Sequence, residues 1–270
     1  MTTNPPKISV VTVVRNAAGE LEKTIKSVLG QDYPLIEFIV IDGGSSDGTV
    51  EVIRTYAGQM DYWISEPDQG IYDAMNKGLV KTTGEWVNFM NAGDVFFNNH
   101  VLSSIFNQEL NDAQVLYGDS VAQYPAFKAW RKALPQDDIR KGMICCHQAM
   151  FFQTKLIRDK AYQSDLYFSA DYEMVLRLFH AGFKFRYIPE TIAVFDTRGT
   201  SNRKMVKSAR SNLKILNSTG KLSLNEKRYH QRFICRAKAT EWVYRVLPGL
   251  IMETLLKWIY RNQIVKESNQ

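Results

Sequence analysis

Apolar residues in this chain occur in short unbroken runs that alternate with stretches of helical spacing. Residues 8–14 are almost wholly apolar and rich in β-branched side chains, which predicts a strand buried on both faces. Residues 21–29 place apolar side chains at the spacing of an amphipathic helix. The same patterns predict strands at 36–41, 62–65, 85–90, 115–119, 121–130, 149–152, 185–188 and 192–195, and helices at 50–56, 70–79 and 172–179.

The order of these elements predicts the fold class. Strands and helices alternate from the start of the chain, which is typical of an α/β fold with a mainly parallel, doubly wound sheet flanked by helices. Ligands of such sheets bind beyond the carboxyl ends of the strands. We predict one such domain over residues 1–200, followed by a basic, partly amphipathic helical extension over residues 201–270.

The end of the extension has two interpretations. Residues 242–260 are rich in Leu, Ile, Val, Trp and Tyr but include Arg245, Pro248, Glu253 and Lys257. The three charged residues among these disfavour a helix that crosses a bilayer, which needs about 20 mostly apolar residues. The segment is therefore either an amphipathic helix at an anionic membrane surface or a helix packed on the domain or on a second subunit.

Charge is distributed unevenly along the chain. The net charge of +6 combines a net −6 over residues 1–197 with a net +12 over residues 198–270. The acidic part is expected to carry the chemistry and the basic part to contact an anionic partner. Nucleic acid, a phosphate-bearing substrate and anionic lipid all fit this description.

Cysteine usage indicates the compartment. The three cysteines, Cys145, Cys146 and Cys235, are odd in number and form no C-x-x-C pair, which disfavours a disulfide framework or a structural zinc site. A reduced, cytoplasmic environment fits best. Residues 1–7 lack the apolar core of a secretory signal, so none is expected.

Acidic residues follow several of the predicted strands. Asp42, Asp68 and Asp94 lie at strand ends or in the loops after them, while Asp171 and Glu173 open a predicted helix. Grouped carboxylates are costly to bury unless a cation or hydrogen-bond donors lie between them. A divalent metal bound to a diphosphate would satisfy this requirement, because Mg²⁺ and Mn²⁺ favour carboxylate and phosphate oxygens.

Three segments in this order resemble the inverting family-2 glycosyltransferases of GT-A (Rossmann-like) fold. They are residues 9–16 (SVVTVVRN), 40–49 (VIDGGSSDGT) and 66–78 (EPDQGIYDAMNKG), and the acidic strand end at 91–94 follows them. The resemblance covers roughly residues 7–200. It implies transfer of a sugar from a nucleoside-diphosphate sugar, of UDP or GDP type, to an acceptor hydroxyl.

The resemblance also implies which residues bind the donor. Asp42 would hydrogen-bond the base, although an Asp before Gly-Gly is also a common turn residue. Lys77 would contact phosphate or remain an ordinary solvated lysine, and Arg198 would contact the diphosphate or belong to the basic surface. The complete implied donor-binding set is Thr12, Val14, Asn16, Asp42, Asp68, Lys77, Asn91, Arg198 and Ser201.

The family's metal and catalytic motifs are altered in this chain. The acidic metal motif becomes NAGD at residues 91–94, which leaves Asp94 as the expected ligand of a Mg²⁺ or Mn²⁺ ion. The alternative is a reaction that does not need a metal. The family's Glu-Asp pair becomes Ala-Asp, so Asp171 inherits the role of catalytic base, with Glu173 as the alternative. His147, which resembles the family's His-Gln step, and Glu173 are the candidates for the acceptor site.

The resulting hypothesis is an inverting, metal-using transferase of polysaccharide or lipid-linked saccharide synthesis. Its acceptor would be a saccharide or lipid-linked saccharide, and its expected location is the cytoplasm. Peripheral attachment to the inner face of the membrane and assembly as a homo-oligomer are options that the sequence leaves open. Two other functions compete. One is a nucleotidyltransferase that acts on sugar phosphates. The other is a non-enzymatic nucleic-acid-binding protein, although the basic extension lacks a recognition motif and we expect no nucleic acid.

Overall fold

The strands follow the apolar runs of the sequence. A computed structural model describes residues 5–158, 161–166, 168–197, 204–246 and 249–265. Within these ranges the strands are β1 (Ile8–Val14), β2 (Ile36–Asp42), β3 (Tyr62–Ser65), β4 (Trp86–Phe89), β5 (Val95–Phe96), β6 (Val115–Gln123), β7 (Lys128–Arg131), β8 (Met150–Gln153) and β9 (Phe185–Asp196).

The helices of the described chain flank this sheet and continue beyond it. They are α1 (Ala18–Leu29), α2 (Thr49–Tyr56), α3 (Ile71–Lys81), α4 (Val101–Phe106), α5 (Thr154–Arg158), α6 (Ala170–His180), α7 (Met205–Ser218), α8 (Leu224–Val246) and α9 (Gly249–Ile259). The predicted apolar segment 242–260 thus contributes to two helices. None of the described helices has the combined length and apolar character needed to cross a bilayer.

One sheet contains all the described strands. Their order is β3-β2-β1-β4-β8-β6-β9-β5, with β7 paired to β6. The first four strands are parallel, as the alternation of strands and helices predicts. The second half is mixed, since β8 is antiparallel to both β4 and β6 while β6 and β9 are parallel. The predicted α/β class is confirmed.

Two apolar cores cover the two faces of the sheet. Every residue of β1 is buried, and successive side chains alternate between the cores, with Val11 and Val13 in one and Val10 and Val14 in the other. Helices α3 and α6 cover the first face, and α1, α2 and α4 cover the second. The sheet thus lies between two helical layers, and the parallel pairing of β1, β2 and β4 brings their carboxyl ends to one edge.

The helical extension packs on the domain. Helix α7 adds Ile215 and Leu216 to the first core. Helix α8 is tied to the turn at 136–141, where Arg140 Nε donates to Glu226 at 2.5 Å. Helix α9 and the residues after it cover a third, smaller cluster on β6 and β7. The domain boundary near residue 200 remains a prediction.

Candidate active site

The loop after β1 is fixed against the loop after β2. Asn16 has a φ of +50°, its backbone N–H donates to Ser45 Oγ at 2.7 Å, and its side-chain oxygen accepts from Ser46 N at 2.9 Å. Thr12 is fully buried and donates its hydroxyl to the carbonyl of Met90 at 2.8 Å. Thr12 therefore joins β1 to the end of β4, while Asn16 shapes the neighbouring loop.

Asp42 ends β2 and is fully buried. Its Oδ2 accepts from Ser45 N at 2.9 Å and from Ser65 Oγ at 2.6 Å, and its Oδ1 accepts from Ser45 Oγ. Ser45 and Ser65 also line a shallow hollow of about 850 Å³. Asp42 thus holds the loop at 43–49 in place through its hydrogen bonds with Ser45. Its contact with a nucleotide base remains a prediction.

Asp68 lies in the loop that follows β3 and packs against the loop that follows β2. Its carboxylate accepts from Gly70 N at 2.9 Å and lies 3.9 Å from Arg15 Nη1. It also packs directly on Gly43, where an added Cβ would come within 2.1 Å of Asp68 Oδ2. Position 43 therefore has to be glycine for Asp68 to occupy this place, and the pair explains the Asp-Gly-Gly sequence.

Asp94 follows β4 and is nearly fully buried. Its Oδ2 accepts from Gln148 Nε2 at 2.5 Å, and its Oδ1 accepts from the backbone N–H of Asp196 at 3.0 Å. Burial and, to a smaller extent, the negative charge of Asp196 raise the pKa of Asp94 to about 7. Two hydrogen bonds therefore do not compensate fully for the removal of this carboxylate from water.

Asp171 lies in the first turn of α6, as the sequence predicts. Its Oδ1 accepts from Tyr72 Oη at 3.1 Å and from Tyr172 N at 2.8 Å, and its Oδ2 lies 3.7 Å from His147 Nδ1. Burial and the charge of Asp171 raise the pKa of Tyr72, which keeps this phenol protonated as a donor. One carboxylate oxygen is thus anchored and the other faces the cleft.

His147 connects Asp171 to the strand end at 91–94. Its Nε2 lies 2.9 Å from Asn91 Nδ2, and the other amide atom, Asn91 Oδ1, is buried and has no hydrogen-bond partner within the described part of the chain. Burial lowers the pKa of His147, although the nearby Asp171 opposes the shift. The imidazole is therefore a neutral group at neutral pH.

Six of the predicted residues meet in one cleft of about 930 Å³, beyond the carboxyl ends of the strands. They are Val14, Asp68, Asn91, Asp94, His147 and Asp171. Thr12, Asn16, Asp42, Lys77 and Glu173 lie outside this lining. Arg198 and Ser201 lie outside the described residues.

Two of the residues outside the lining form ion pairs. Lys77 Nζ lies 2.8 Å from Glu66 Oε1 and 3.6 Å from Asp73 Oδ2. Glu173 accepts from Arg177 Nε at 2.9 Å, one turn along α6. The roles of Lys77 toward phosphate and of Glu173 toward an acceptor remain predictions, while the geometry favours Asp171 over Glu173 as the base.

Comparison with known proteins decides the family. Residues 9–178, more than half of the chain, match the family model described as glycosyl transferase family 2. The chain belongs to this family. It is 34% identical over 183 residues to an uncharacterized glycosyltransferase of Mycobacterium tuberculosis, which covers 65% of this chain and 70% of that protein.

Two further similarities extend over almost the whole of this family-2 glycosyltransferase. A PGL/p-HBAD biosynthesis glycosyltransferase of Mycobacterium bovis is 25% identical over 260 residues, covering 94% of this chain and 97% of that protein. The mannosyltransferase PcManGT from Pyrobaculum calidifontis, solved with GDP-Man and Mn²⁺, has the same fold, with a TM-score of 0.66 and 16% identity over 96% of this chain and 83% of that chain. The predicted family and GT-A fold are confirmed, and the protein is a glycosyltransferase.

The acidic residues of the cleft suit a metal ion only if a bound substrate supplies some of its ligands. Across the ranges that the structure describes, no group of three or more His, Cys, Asp and Glu side chains is arranged to hold a metal ion. Asp94 is nonetheless a buried carboxylate with no compensating cation among the described residues, and Asp196 contributes further negative charge. The residues therefore suit a divalent ion whose remaining ligands come from a donor diphosphate.

Several residues of the cleft were not predicted from the sequence as site residues. Tyr72 and Gln148 hold the two key carboxylates, and Arg131 and Lys132 add positive charge to the cleft wall. Gln148 could have been found beside His147, and the basic pair at the end of a predicted strand was a signal. Tyr72 had no local signal, because its contact with Asp171 joins residues 99 positions apart.

Proposed function

We propose that this glycosyltransferase moves a sugar, with inversion, from a UDP- or GDP-type donor to an acceptor hydroxyl, with Asp171 as the general base. The placement of Asp171 supports this assignment above all. Its Oδ1 is held by Tyr72 and by the backbone of α6, which leaves Oδ2 to accept the acceptor proton. Inversion requires a base on the acceptor side, and a carboxylate fixed in a cleft can serve as one.

We infer that the donor lies along the loops that follow β1, β2 and β4. Asp68 and Asn91 line the cleft beside Arg15, and Asn91 Oδ1 is a buried acceptor suited to a ribose hydroxyl. Ser45 and Ser65 already donate hydrogen bonds to both carboxylate oxygens of Asp42. The nucleotide base would therefore be recognised by the loop at 43–49, which Asp42 holds in place. Val14 would contact the nucleoside as part of the apolar wall.

Asp94 is proposed to bind a Mg²⁺ or Mn²⁺ ion together with the donor diphosphate. The Mn²⁺ and GDP-Man of the Pyrobaculum mannosyltransferase support this assignment by analogy of fold. When bound, the ion would stabilise negative charge on the departing diphosphate. Gln148 and the backbone of Asp196 would keep the Asp94 carboxylate in place, and Arg131 and Lys132 would add positive potential.

The acceptor is proposed to be a saccharide with an apolar or lipid-linked part. The cleft wall includes Ile71 and Leu134, which are each more than 40% exposed, together with Met143 and Ile144. Such a surface favours a partly apolar acceptor. We further propose that the enzyme works in polysaccharide or lipid-linked saccharide synthesis at the cytoplasmic face of a membrane.

The exposed face of α9 supports membrane attachment. Met252 is buried and Leu256 packs on the cluster of β6 and β7, whereas Ile251, Leu255 and Trp258 share a neighbouring face and are exposed, Trp258 by 63%. Lys257 and Arg261 flank this face. Apolar and aromatic side chains beside basic ones are typical of a helix that lies in an anionic lipid interface.

The attached helix would also bring the cleft close to lipid. Arg131, which lines the cleft, stacks on Tyr260 with its guanidinium carbon 4.1 Å from the ring centroid. The backbone N–H of Trp130 donates to the carbonyl of Gln263 at 2.7 Å. The segment that follows α9 and the cleft wall are therefore joined through β7, which suits an acceptor held in a membrane.

A donor screen followed by one substitution tests the catalytic proposal. UDP-glucose, UDP-galactose, UDP-N-acetylglucosamine and GDP-mannose would be compared by thermal shift with Mn²⁺, because a bound donor stabilises the fold by mass action. The stabilising donor should release nucleoside diphosphate with water as a slow acceptor. Asp171→Asn should lower that release about 10²- to 10⁴-fold, since general-base catalysis contributes this much, while the thermal shift persists.

The two competing outcomes are distinct. Retained turnover in Asp171→Asn would remove Asp171 as the base. Release of pyrophosphate from nucleoside triphosphate and sugar phosphate, with no release of nucleoside diphosphate from any donor, would instead favour a nucleotidyltransferase.

A further inference from the structure

His147 lies between the cleft wall at the end of β4 and the wall formed by α6, and its two ring nitrogens have different neighbours. Nε2 lies 2.9 Å from Asn91 Nδ2, at the end of β4. Nδ1 lies 3.7 Å from Asp171 Oδ2, in the first turn of α6. The ring is therefore the structural link between the proposed donor-binding wall and the proposed catalytic base.

The contact with Asn91 determines the tautomer of the ring. An amide nitrogen has only N–H donors, so the ring nitrogen that faces Asn91 Nδ2 must be an acceptor. In a neutral imidazole the single proton then resides on Nδ1, which is the nitrogen that faces Asp171. Burial lowers the pKa of His147, so this neutral form is the one to consider at neutral pH.

Asp171 Oδ2 receives neither of the hydrogen bonds that anchor the carboxylate. The two hydrogen bonds that anchor the carboxylate, from Tyr72 Oη and Tyr172 N, both go to Oδ1. The contact that the described residues make with Oδ2 is the one with His147. At 3.7 Å this contact is longer than a hydrogen bond, and such catalytic contacts commonly shorten when substrate binds.

We propose that His147 is a positioning residue whose Nδ1–H, directed by Asn91, orients the basic oxygen of Asp171 toward the acceptor. This inference rests on the proposed function, because it assigns His147 a task only if Asp171 is the base. It also gives a reason for Asn at position 91. A carboxylate there would accept a hydrogen bond from Nε2–H and leave an Nδ1 lone pair facing Asp171.

Two substitutions of His147 separate this role from simple packing. The amide nitrogen of Asn lies where Nδ1 of His lies, and the amide of Gln reaches the place of Nε2. His147→Asn can therefore keep a donor toward Asp171 while it loses Asn91, and His147→Gln does the reverse. Release of nucleoside diphosphate from the donor found in the screen, with water as acceptor, gives kcat and KM for each.

We expect kcat to be about 10- to 100-fold higher in His147→Asn than in His147→Gln, which is the effect of one hydrogen bond to a charged group. KM for the donor should differ much less between the two, because both variants retain the diphosphate site. A purely structural role predicts the opposite order, since Gln is closer to His in volume and keeps the contact with Asn91. Equal kcat values, or a higher value for Gln, would overturn the proposal.

Asn91→Asp provides an independent check on the direction of the Asn91–His147 bond. It should lower kcat about 10-fold or more in the wild-type background, because the ring then loses its Nδ1–H or becomes a cation that weakens Asp171 as a base. The loss should be about 10-fold smaller when His147 is already Asn, since residues that act through one contact are not additive. Equal losses in the two backgrounds would show that Asn91 does not act through His147.

The failure of this inference can be told apart from the failure of the proposed function. If Asp171→Asn retains turnover, the assignment of the base is wrong and His147 has nothing to position. If Asp171→Asn abolishes turnover but the two His147 variants are alike, Asp171 remains the base and only the role of His147 is rejected.

Discussion

The buried carboxylates at the ends of β2 and β4 differ sharply in how they are stabilised. Asp42 receives three hydrogen bonds from Ser45 and Ser65, whereas Asp94 receives two and lies near a second acid, Asp196. Burial raises the pKa of Asp94 from 3.8 to about 7. A carboxylate that is kept in an unfavourable environment by the fold is typical of a functional site.

This shift makes the stability of the protein depend on pH through Asp94. Between pH 4 and pH 7 the folded protein holds a proton on Asp94 that the unfolded chain has released, so stability falls as the pH rises. Asp94→Asn removes this effect. In the absence of donor, the variant should be more stable than wild type at pH 8, by an amount on the order of 4 kcal/mol, and the difference should vanish near pH 4.

Urea unfolding of both proteins across this pH range measures the difference. The same variant should lose the thermal shift caused by donor and Mn²⁺, because it lacks the proposed ligand. If Asp94→Asn is no more stable than wild type at pH 8, then burial does not destabilise the ionised carboxylate of Asp94 as its raised pKa indicates. A retained donor shift would place the metal elsewhere.

How far the sequence predicts the site depends on whether a residue's role is local. Asp42, Asp68 and Asp171 stand in short motifs at strand ends or at a helix start, and the sequence places them correctly. Tyr72 and Gln148 act on partners that are far away in the sequence, and no spacing rule connects them. The tautomer of His147 likewise depends on Asn91, 56 positions earlier.

Helices and strands, like single residues, are predicted well where the deciding feature is local in the sequence and less well where it is distant. The first strands are confirmed within a few residues because each apolar run is bounded by turn residues. The predicted strand at 121–130 is wrong in part, since β6 ends at Gln123 and a turn that contains Pro125 leads to β7. The two predicted strands at 185–188 and 192–195 form one strand, in which the pairing with β6 shifts past Pro189 and Glu190.

Helix α3 places Tyr72 in the cleft, and its contact with the sheet requires a glycine. A Cβ on Gly78 would lie 2.4 Å from Val11 Cγ1 and 3.3 Å from Ile41 Cγ1. Gly78→Ala should therefore destabilise the protein by about 1–3 kcal/mol through overpacking, despite the better helix propensity of alanine. The matched control is Gly19→Ala in α1, where nothing lies within 4 Å of the added Cβ.

The control should stabilise the protein by about 0.5–1 kcal/mol, because alanine has fewer unfolded conformations to lose. Chemical unfolding monitored by circular dichroism gives both values under one set of conditions. If the two substitutions change stability in the same direction, close packing of α3 on β1 and β2 is not what requires glycine at position 78.

The whole molecule combines an acidic catalytic region with a basic helical extension. The net charges of −6 over residues 1–197 and +12 over residues 198–270 set the two apart. The sequence predicts this asymmetry and the helical character of the extension. It could not predict that Met252 is buried and that Leu256 packs on β6 and β7, because helical spacing alone does not distinguish the covered face of α9 from the exposed one.

The exposed face of α9 provides the last prediction, which concerns attachment to a membrane. The full-length protein should sediment with vesicles of equal parts phosphatidylcholine and phosphatidylglycerol, and much less with phosphatidylcholine alone, because the basic extension favours anionic lipid. The double substitution Leu255→Glu with Trp258→Glu should lower binding about 10-fold or more, since both side chains would otherwise be buried in lipid. Substitution is preferable to deletion of α9, which would also uncover the cluster on β6 and β7.

Val80→Glu is the matched control, because Val80 is a 72% exposed apolar residue on α3, outside the proposed surface. It should bind vesicles like wild type, and release of nucleoside diphosphate with water as acceptor should be similar in all three proteins. A wild-type protein that is dimeric by light scattering and becomes monomeric in the double variant, with no binding to either vesicle, would assign the face to a second copy of the chain. Unchanged vesicle binding in the double variant would place the membrane contact on another surface, since the two acidic side chains should repel anionic lipid wherever α9 meets it.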